Sequence, residues 1–330
     1  MRGCEMPNET FDTAKEPAAA VSGHVIVVGA SAGGVEALQE LVRGLPVDLA
    51  APMIMVLHIH PRSKSFLPEI LSAAGLLAAS HAVDGQRMEA GHIYVAPPDH
   101  HLIIERHHIH LGIGPKENYQ RPCINVTFRS AALAYGDKAI GVILTGQLDD
   151  GTAGCWDIKR RGGTIVVQHP EDAAFSSMPL STLREVEADY TLPLIEIGPL
   201  LGRLSSGNGS GEIRLQEENL GMQPKVVDLT CPECRGTIWE VPKGPSIQYR
   251  CRVGHSYSPR SMRAEHTAAQ EKALWAAVVA LEEGAVLAAK LARQLEPHLR
   301  EQLLHESRQK QQQAASIRKV IQEQPVFSLD

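Results

Sequence analysis

Four short apolar runs frame the first two thirds of the chain: HVIVVGA (24–30), PMIMVLH (52–58), AIGVILTG (139–146) and GTIVVQ (163–168). Each is bounded by polar or glycine residues. Runs of this length, apolar on both faces, read as parallel strands buried between helices. Helical patterns fall between them, at about 34–44, 65–78, 124–136 and 152–161. The alternation predicts an α/β fold, a doubly wound and mostly parallel sheet over residues 23–200. HIYVAPP (92–98), HLIIE (101–105) and HIHLGIG (108–114) lie close together and alternate better. They are expected to form an antiparallel hairpin addition.

The pattern then changes. Residues 201–225 begin LGRLSSGNGSG, the composition of a flexible linker. A small Cys/His segment follows at 226–258, and a Leu/Ala/Glu/Gln/Lys-rich stretch at 259–330. Leu274, Val278, Leu281, Ala285, Ala288 and Leu295 recur mostly at three- and four-residue steps, which places them on one helix face. Pro297 is expected to separate that helix from a second one carrying Leu299, Leu303, Ile317 and Ile321. The pair reads as a helical hairpin, and it also offers a face for homo-oligomer formation.

Composition narrows the classes. The chain has 330 residues and 43% hydrophobic content, enough for a sizeable core, but only 4% aromatics, so that core must be aliphatic. A net charge of −6 gives no push toward nucleic acid or an acidic membrane surface. No stretch approaches the ~18 apolar residues of a membrane span. The first 22 residues lack a basic start followed by an apolar core, so they read as a frayed tail rather than a signal peptide. A cytoplasmic protein is expected. Of six cysteines, Cys4, Cys123 and Cys155 are scattered while Cys231, Cys234 and Cys251 cluster. In a reducing compartment such a cluster points to metal rather than disulfides.

Candidate chemistry sits at the carboxyl ends of the predicted strands, where open α/β sheets collect functional groups. Gly29-Ala30-Ser31-Ala32-Gly33 fits G-x-S-x-G, a sharp strand-to-helix turn that exposes a serine hydroxyl at a helix N-terminus. The same turn could pack closely or cradle a phosphate. However, neither G-x-G-x-x-G nor G-x-x-x-x-G-K-[ST] occurs in the chain. His58 ends the second run, with His60 two residues on, and Asp149 and Asp150 follow the third. Serine nucleophilicity needs a base for the hydroxyl proton and a carboxylate to orient that base. Ser31, His58 and the Asp149-Asp150 pair supply all three types, although Asp150-Gly151 could equally be a turn that caps a helix.

Cys231, Cys234, Cys251 and His255 form C-x2-C-x16-C-x3-H. Two close pairs separated by a hairpin-length segment, Thr237–Val241 and Ile247–Arg250, can close a tetrahedron of three sulfurs and one nitrogen around zinc. With every position filled, the metal would be structural, supplying folding free energy to a zinc-ribbon-like module too small for its own core. From 226 to 265, six Lys/Arg face four acids. A balance of +2 is too small for nucleic acid, so protein docking is the better expectation.

At domain length the chain resembles the catalytic domain of the chemotaxis protein-glutamate methylesterases, the CheB family. The segments that carry the resemblance are VVGASAGGVEAL, MVLHIHPRSKSFLPEIL, IYVAPPDHHLII, RPCINVTFRSAA, AIGVILTGQLDDGTAG and GGTIVVQHPEDAAFSSMP, in family order. The resemblance implies hydrolysis of glutamate γ-methyl esters on chemoreceptors, with methanol released and some glutamines deamidated. It matches Ser31 to the nucleophile, His58 to the histidine and Asp150 to the aspartate. It matches the Gln147 N–H to the oxyanion hole, with the Ala32 N–H also at hand, and His101 and Arg121 to the cleft lining. No catalytic cofactor is implied. The partner would be a methylated chemoreceptor or a related signalling protein.

The chain departs from the family pattern at three places. Ala32 stands where threonine is common, Val35 where proline is frequent, and LTGQLDDG where LTGMGxDG is usual. A glycine lost at Leu148 alters the loop if positive φ is required there. The family's usual receiver domain is not expected within the 22 residues before the first strand. Two other functions fit the same residues. One is a non-catalytic signalling adaptor that uses the fold and the Cys/His module to bind partners. The other is a hydrolase of small carboxylic esters.

Overall fold

In a computed structural model of the chain, the described residues are 23–207, 224–243, 246–293 and 296–323. The predicted N-terminal tail, most of the predicted linker and Leu295 lie outside them.

The parallel-sheet region runs β1 (Val25–Ala30), α1 (Gly34–Arg43), β2 (Met53–Leu57), α2 (Leu67–Ala74), β3 (Ala78–His81) and β4 (His92–Val95). It continues with β5 (His101–Glu105), β6 (His108–Gly112), α3 (Ile124–Tyr135), β7 (Ala139–Ile143), α4 (Thr152–Lys159) and β8 (Thr164–Gln168). The last elements are α5 (Ser177–Glu185), β9 (Tyr190–Leu192) and α6 (Leu194–Ser206). Seven strands form one parallel sheet in the order β3-β4-β2-β1-β7-β8-β9. Strand side chains alternate between two cores. Val25 and Val27 of β1 join Phe128, Ala131 and Ile158 from α3 and α4, while Ile26 and Val28 join Leu38, Leu41, Leu71 and Leu201 from α1, α2 and α6.

The expected antiparallel addition is only partly present. β5 and β6 pair as a separate two-stranded antiparallel sheet. HIYV is instead parallel strand β4, inserted between β3 and β2. Its Ile93 and Val95 are completely buried, and that burial decides its place over its alternation. β3, AASH, is weakly apolar and partly exposed, which is why periodicity does not reveal it. Helix α2 is accordingly shorter than the predicted 65–78, and α6 extends to Ser206, into the start of the predicted linker.

The Cys/His segment is a four-stranded antiparallel sheet, β10 (Lys225–Thr230), β11 (Thr237–Lys243), β12 (Ser246–Cys251) and β13 (Ser256–Tyr257). It belongs to the same compact unit as the parallel sheet, a unit that runs to Ser261. The second unit, Met262–Asp330, contains the rest of α7 (Pro259–Ala292) together with α8 (Pro297–Glu323). Val278, Ala285 and Ala288 of the predicted face are buried there, and Ser307 Oγ donates to the Ala285 carbonyl at 2.8 Å. Arg318 pairs with Glu282 at 2.7 Å.

The turn after β1 shows why this sequence bends where it does. Gly33 has φ 71°, a left-handed conformation that glycine adopts without strain. A Cβ on Gly34 would lie 2.5 Å from Leu57 Cδ1 and 2.9 Å from Ala30 Cβ, so only glycine lets α1 start against β1 and β2. Gly34→Ala is therefore expected to destabilise the folded chain by about 1–3 kcal/mol, read as a lower midpoint in urea.

Candidate active site

The sheet order reverses at β1. The chain moves from β1 outward through β2 and returns on the other side at β7. Ligand crevices of open parallel sheets form at such a point, beyond the carboxyl ends of the strands. Register then fixes the neighbours. Ala30 pairs with Leu57, so Ser31 and His58 leave adjacent strands at the same level. The Ser31 N–H donates to the Thr145 carbonyl beyond β7 at 3.0 Å, and its carbonyl accepts from the Gly34 N–H at 2.9 Å.

Three of the sequence-selected residues meet here. Ser31 Oγ lies 3.1 Å from His58 Nδ1, and His58 Nε2 lies 2.8 Å from Asp150 Oδ2. The ionised carboxylate can only accept, so Nε2 carries a proton and Nδ1 is left to accept from the serine hydroxyl. Both His58 and Asp150 are largely buried, with side-chain exposures of 10% and 4%.

Asp150 is the better-held partner. Its Oδ2 also accepts the Ile124 N–H at 2.7 Å. Its Oδ1 accepts from Asn118 Nδ2 at 3.1 Å, the Cys123 thiol at 3.1 Å and the Asn125 N–H at 3.3 Å. The carboxylate thus sits at the N-terminus of α3, where unpaired N–H groups and the helix dipole favour negative charge. Burial alone would raise its pKa. The hydrogen bond and charge of His58, with the Cys123 and Ile124 bonds, outweigh burial and bring it down to about 2.

Asp149 behaves oppositely. Burial pushes its pKa up to about 6, the Ser258 hydrogen bond opposes that shift, and the Asp150 charge adds to it. Adjacent aspartates are therefore held in different charge tendencies by their surroundings, a distinction the dipeptide itself does not contain.

The surrounding residues divide by placement. An open depression beside the serine is lined by Ser31, Gly33, His58, Ile59, His60, Lys64, Phe66 and their neighbours. Ala32, Gln147, His101 and Arg121 are not among its lining residues. The Ala32 carbonyl accepts from Thr145 Oγ1 at 3.0 Å, and Gln147 is exposed on the loop after β7. Among the described residues, the N–H groups of Ala32 and Gln147 make no hydrogen bond. His101 is buried in β5, with Nε2 3.0 Å from the Pro115 carbonyl, and its burial lowers its pKa. Arg121 is tied to Asp99 at 2.8 Å and to the carbonyls of Ile113 and Gly114.

Leu148, where the resemblance has glycine, does adopt φ 62°. Hydroxyls of Ser177 and Ser181 both donate to its carbonyl, which holds the loop in that conformation. Sequence reasoning missed the donors to Asp150, namely Asn118, Cys123 and the first amides of α3. The expected helix at 124–136 was the available signal. It marked a free N-terminus without showing which acid would occupy it.

Cys231, Cys234, Cys251 and His255 converge, with one ligand atom from each all within 4.8 Å of one another. Cys234 and Cys251 sulfurs are 3.6 Å apart, and His255 Nδ1 is 3.7 Å and 3.5 Å from the sulfurs of Cys231 and Cys251. A zinc tetrahedron with its usual bond lengths has edges of about 3.5–3.8 Å. The group could therefore hold a metal ion, and its donor set suits zinc.

Comparisons with known proteins bear on the parallel-sheet region. The CheB methylesterase family model matches residues 26–201. A relative from Leptospira interrogans is 39% identical over 184 residues, 56% of this chain and 95% of its own length. The chain belongs to the CheB methylesterase family. Proteins named protein-glutamate methylesterase/protein-glutamine glutaminase from Methanosarcina mazei and Thermotoga maritima are each 36% identical. The match covers 49% and 53% of their lengths, about half of each. The crystal structure of the Thermotoga maritima CheB methylesterase catalytic domain superimposes with a TM-score of 0.54 at 35% identity. That match covers all of the crystal chain and 56% of this one. The α/β fold is thus that of the CheB catalytic domain, and the chain is a carboxylic ester hydrolase by family. Among the described residues, no helix is long and apolar enough to cross a membrane.

The two aspartates predict opposite pH responses. Asp150, with a folded pKa of about 2, contributes stability that is present above its unfolded pKa near 4 and is lost as pH falls from about 4 toward 2. Asp149, at about 6, contributes stability below pH ~4 that is lost as pH rises through 6. Urea unfolding should accordingly show Asp149→Asn gaining on the wild type by about 2–3 kcal/mol between pH 4 and 7, while Asp150→Asn loses ground as pH rises from about 2 to 4 and stays level above that.

Proposed function

We propose that the chain is a serine esterase that removes γ-methyl groups from glutamate side chains of a chemoreceptor or related signalling protein. The observation that carries this reading is the continuous hydrogen-bonded path from Ser31 Oγ through His58 to Asp150. His58 Nδ1 takes the hydroxyl proton as Ser31 Oγ bonds to the ester carbonyl carbon. The carbonyl electron pair moves onto oxygen, where the Ala32 and Gln147 N–H groups would receive it. As the tetrahedral species collapses, the C–O bond to the methoxy group breaks and the His58 imidazolium gives its proton to the departing methoxy oxygen, releasing methanol. Water, deprotonated by the same imidazole, then hydrolyses the glutamyl-Ser31 ester. Asp150 stays ionised throughout and stabilises the cationic imidazole.

The relatives' names include protein-glutamine glutaminase, and the same steps with ammonia as leaving group would deamidate glutamine. The open, shallow depression with exposed Phe66 and Lys64 suits a side chain presented on a protein surface better than an enclosed small ester. An adaptor would have no need of a preorganised triad. We place the enzyme in the cytoplasm, where receptor methylation sites face. We assign Cys231, Cys234, Cys251 and His255 to structural zinc, which would tie together the four-stranded module. The helical pair of the second unit is a candidate surface for self-association.

The test is methanol release from methylated chemoreceptor membranes. Ser31→Ala should abolish release to within background, a loss of at least about 1,000-fold, and Asp150→Asn should lower kcat by a similar order. Release that persists in Ser31→Ala would overturn the reading.

A further inference from the structure

Asn118 belongs to no motif singled out in the sequence, yet it connects two parts of the first unit. Its side chain is buried, at 5% exposure for the residue, and its backbone takes φ 50°, a conformation asparagine tolerates better than most residues. Toward the parallel sheet, Nδ2 donates to Asp150 Oδ1 at 3.1 Å. Toward the Cys/His module, every contact is at or just beyond β13. The Asn118 N–H donates to the Ser256 carbonyl at 2.7 Å. Oδ1 accepts from the Ser258 N–H at 3.0 Å and from the Ser261 hydroxyl at 2.9 Å. The amide orientation follows from these partners, since a carboxylate needs the NH2 end and the two donors need the oxygen.

The next link is covalent. Ser256 directly follows His255, one of the four converging metal-ligand candidates. The His255 carbonyl accepts from the Cys251 N–H at 3.0 Å, and the Tyr257 hydroxyl lies 3.4 Å from Cys231 Sγ. Residues 256–261 are thus joined directly to the Cys/His group. A second tether runs beside the first, with Ser258 Oγ donating to Asp149 Oδ1 at 2.8 Å. A third joins Lys116 to Glu233 at 3.1 Å.

We propose that Asn118 is a positioning residue through which the metal-closed Cys/His module holds Asp150 in register with His58, so that metal occupancy of the module sets the activity of the esterase site. Asn118 has no hydrogen bond to Ser31 or His58. It acts by fixing one oxygen of the carboxylate, which leaves the other aligned on His58 Nε2. An apo module would loosen the stretch from Ser256 to Ser261, release the Asn118 oxygen and free its amide to rotate away from Asp150.

The inference rests on the serine-esterase reading, and the experiment separates the two. The full chain, reconstituted with zinc, is compared with the same protein stripped by EDTA, for wild type, Asn118→Ala, Ser261→Ala and Ser261→Thr. Two readouts are taken: methanol release from methylated receptor membranes, and the ¹⁵N and ¹H signals of the His58 imidazole. Circular dichroism establishes that each variant is folded at the assay temperature. Asn118→Ala and EDTA-treated wild type should each lower kcat roughly tenfold with KM unchanged, less than removal of Asp150 itself. Both should move the His58 Nε2 signal in the same direction. EDTA should change kcat of Asn118→Ala less than about twofold, because the path is already cut. Ser261→Ala should fall between, and Ser261→Thr, which retains the hydroxyl, should recover toward wild type. The inference is overturned if Asn118→Ala leaves the His58 signal and kcat unchanged, or if EDTA lowers kcat of Asn118→Ala by the same factor as wild type. If wild type releases no methanol, the esterase reading falls instead. The His58 signal, with and without zinc, would then still decide whether the module reaches Asp150.

Discussion

A carboxylate removed from water is costly unless donors replace its hydration, and a buried one without them would simply take up a proton. Asp150 is buried and ionised because two backbone amides at the start of α3, a thiol, a side-chain amide and an imidazole all point at it. Much else in the site follows from that arrangement. With one oxygen committed to His58 Nε2, the imidazole is fixed in the tautomer that leaves Nδ1 facing Ser31. If Asp150 were neutral, Nε2 would have no anionic acceptor and the tautomer would no longer be determined. The neighbouring Asp149, pushed up to about 6 mainly by burial, shows how little separates the two outcomes.

The sheet supplies the placement that this electrostatic arrangement needs. Ser31 and His58 stand at the ends of neighbouring parallel strands, and their separation is inherited from the interstrand register. Asp150 arrives by a different route, on a loop after β7 that contains a left-handed leucine and is held by two serine hydroxyls. Rigid strands position the serine hydroxyl and the imidazole, and a loop fixed by hydrogen bonds brings the carboxylate. The G-x-S-x-G turn fits the first role because glycine at Gly33 and Gly34 lets the chain reverse into α1 without crowding Ala30 or Leu57.

The four-stranded module is small, and its converging Cys231, Cys234, Cys251 and His255 could hold a metal ion that would add folding free energy. Its packing within the first unit, rather than as a separate body, makes its folding relevant to the catalytic-type region. Among the contacts that join the two are directional polar ones: serine hydroxyls, a backbone carbonyl, an asparagine amide and a lysine–glutamate pair. Such contacts are sensitive to small displacements, unlike a broad apolar interface, and this gives the proposed dependence of Asp150 on the module a physical basis.

Residue pattern alone carried the central strands, the helices between them, the serine turn, a histidine and an aspartate pair at neighbouring strand ends, and the Cys/His spacing. These are legible because burial on both faces of a strand, glycine at a tight turn and ligand spacing each leave a local mark. The edge strands β3 and β9, the parallel placement of β4, the choice of Asp150 over Asp149 as the ionised partner, and the place of Asn118 left no such mark. β4 alternates like a hairpin strand, and only the surrounding sheet makes it parallel. An aspartate's charge state depends on which amides and imidazoles surround it. Those come from residues up to 92 positions away in the chain, and only the folded chain brings them within hydrogen-bonding distance.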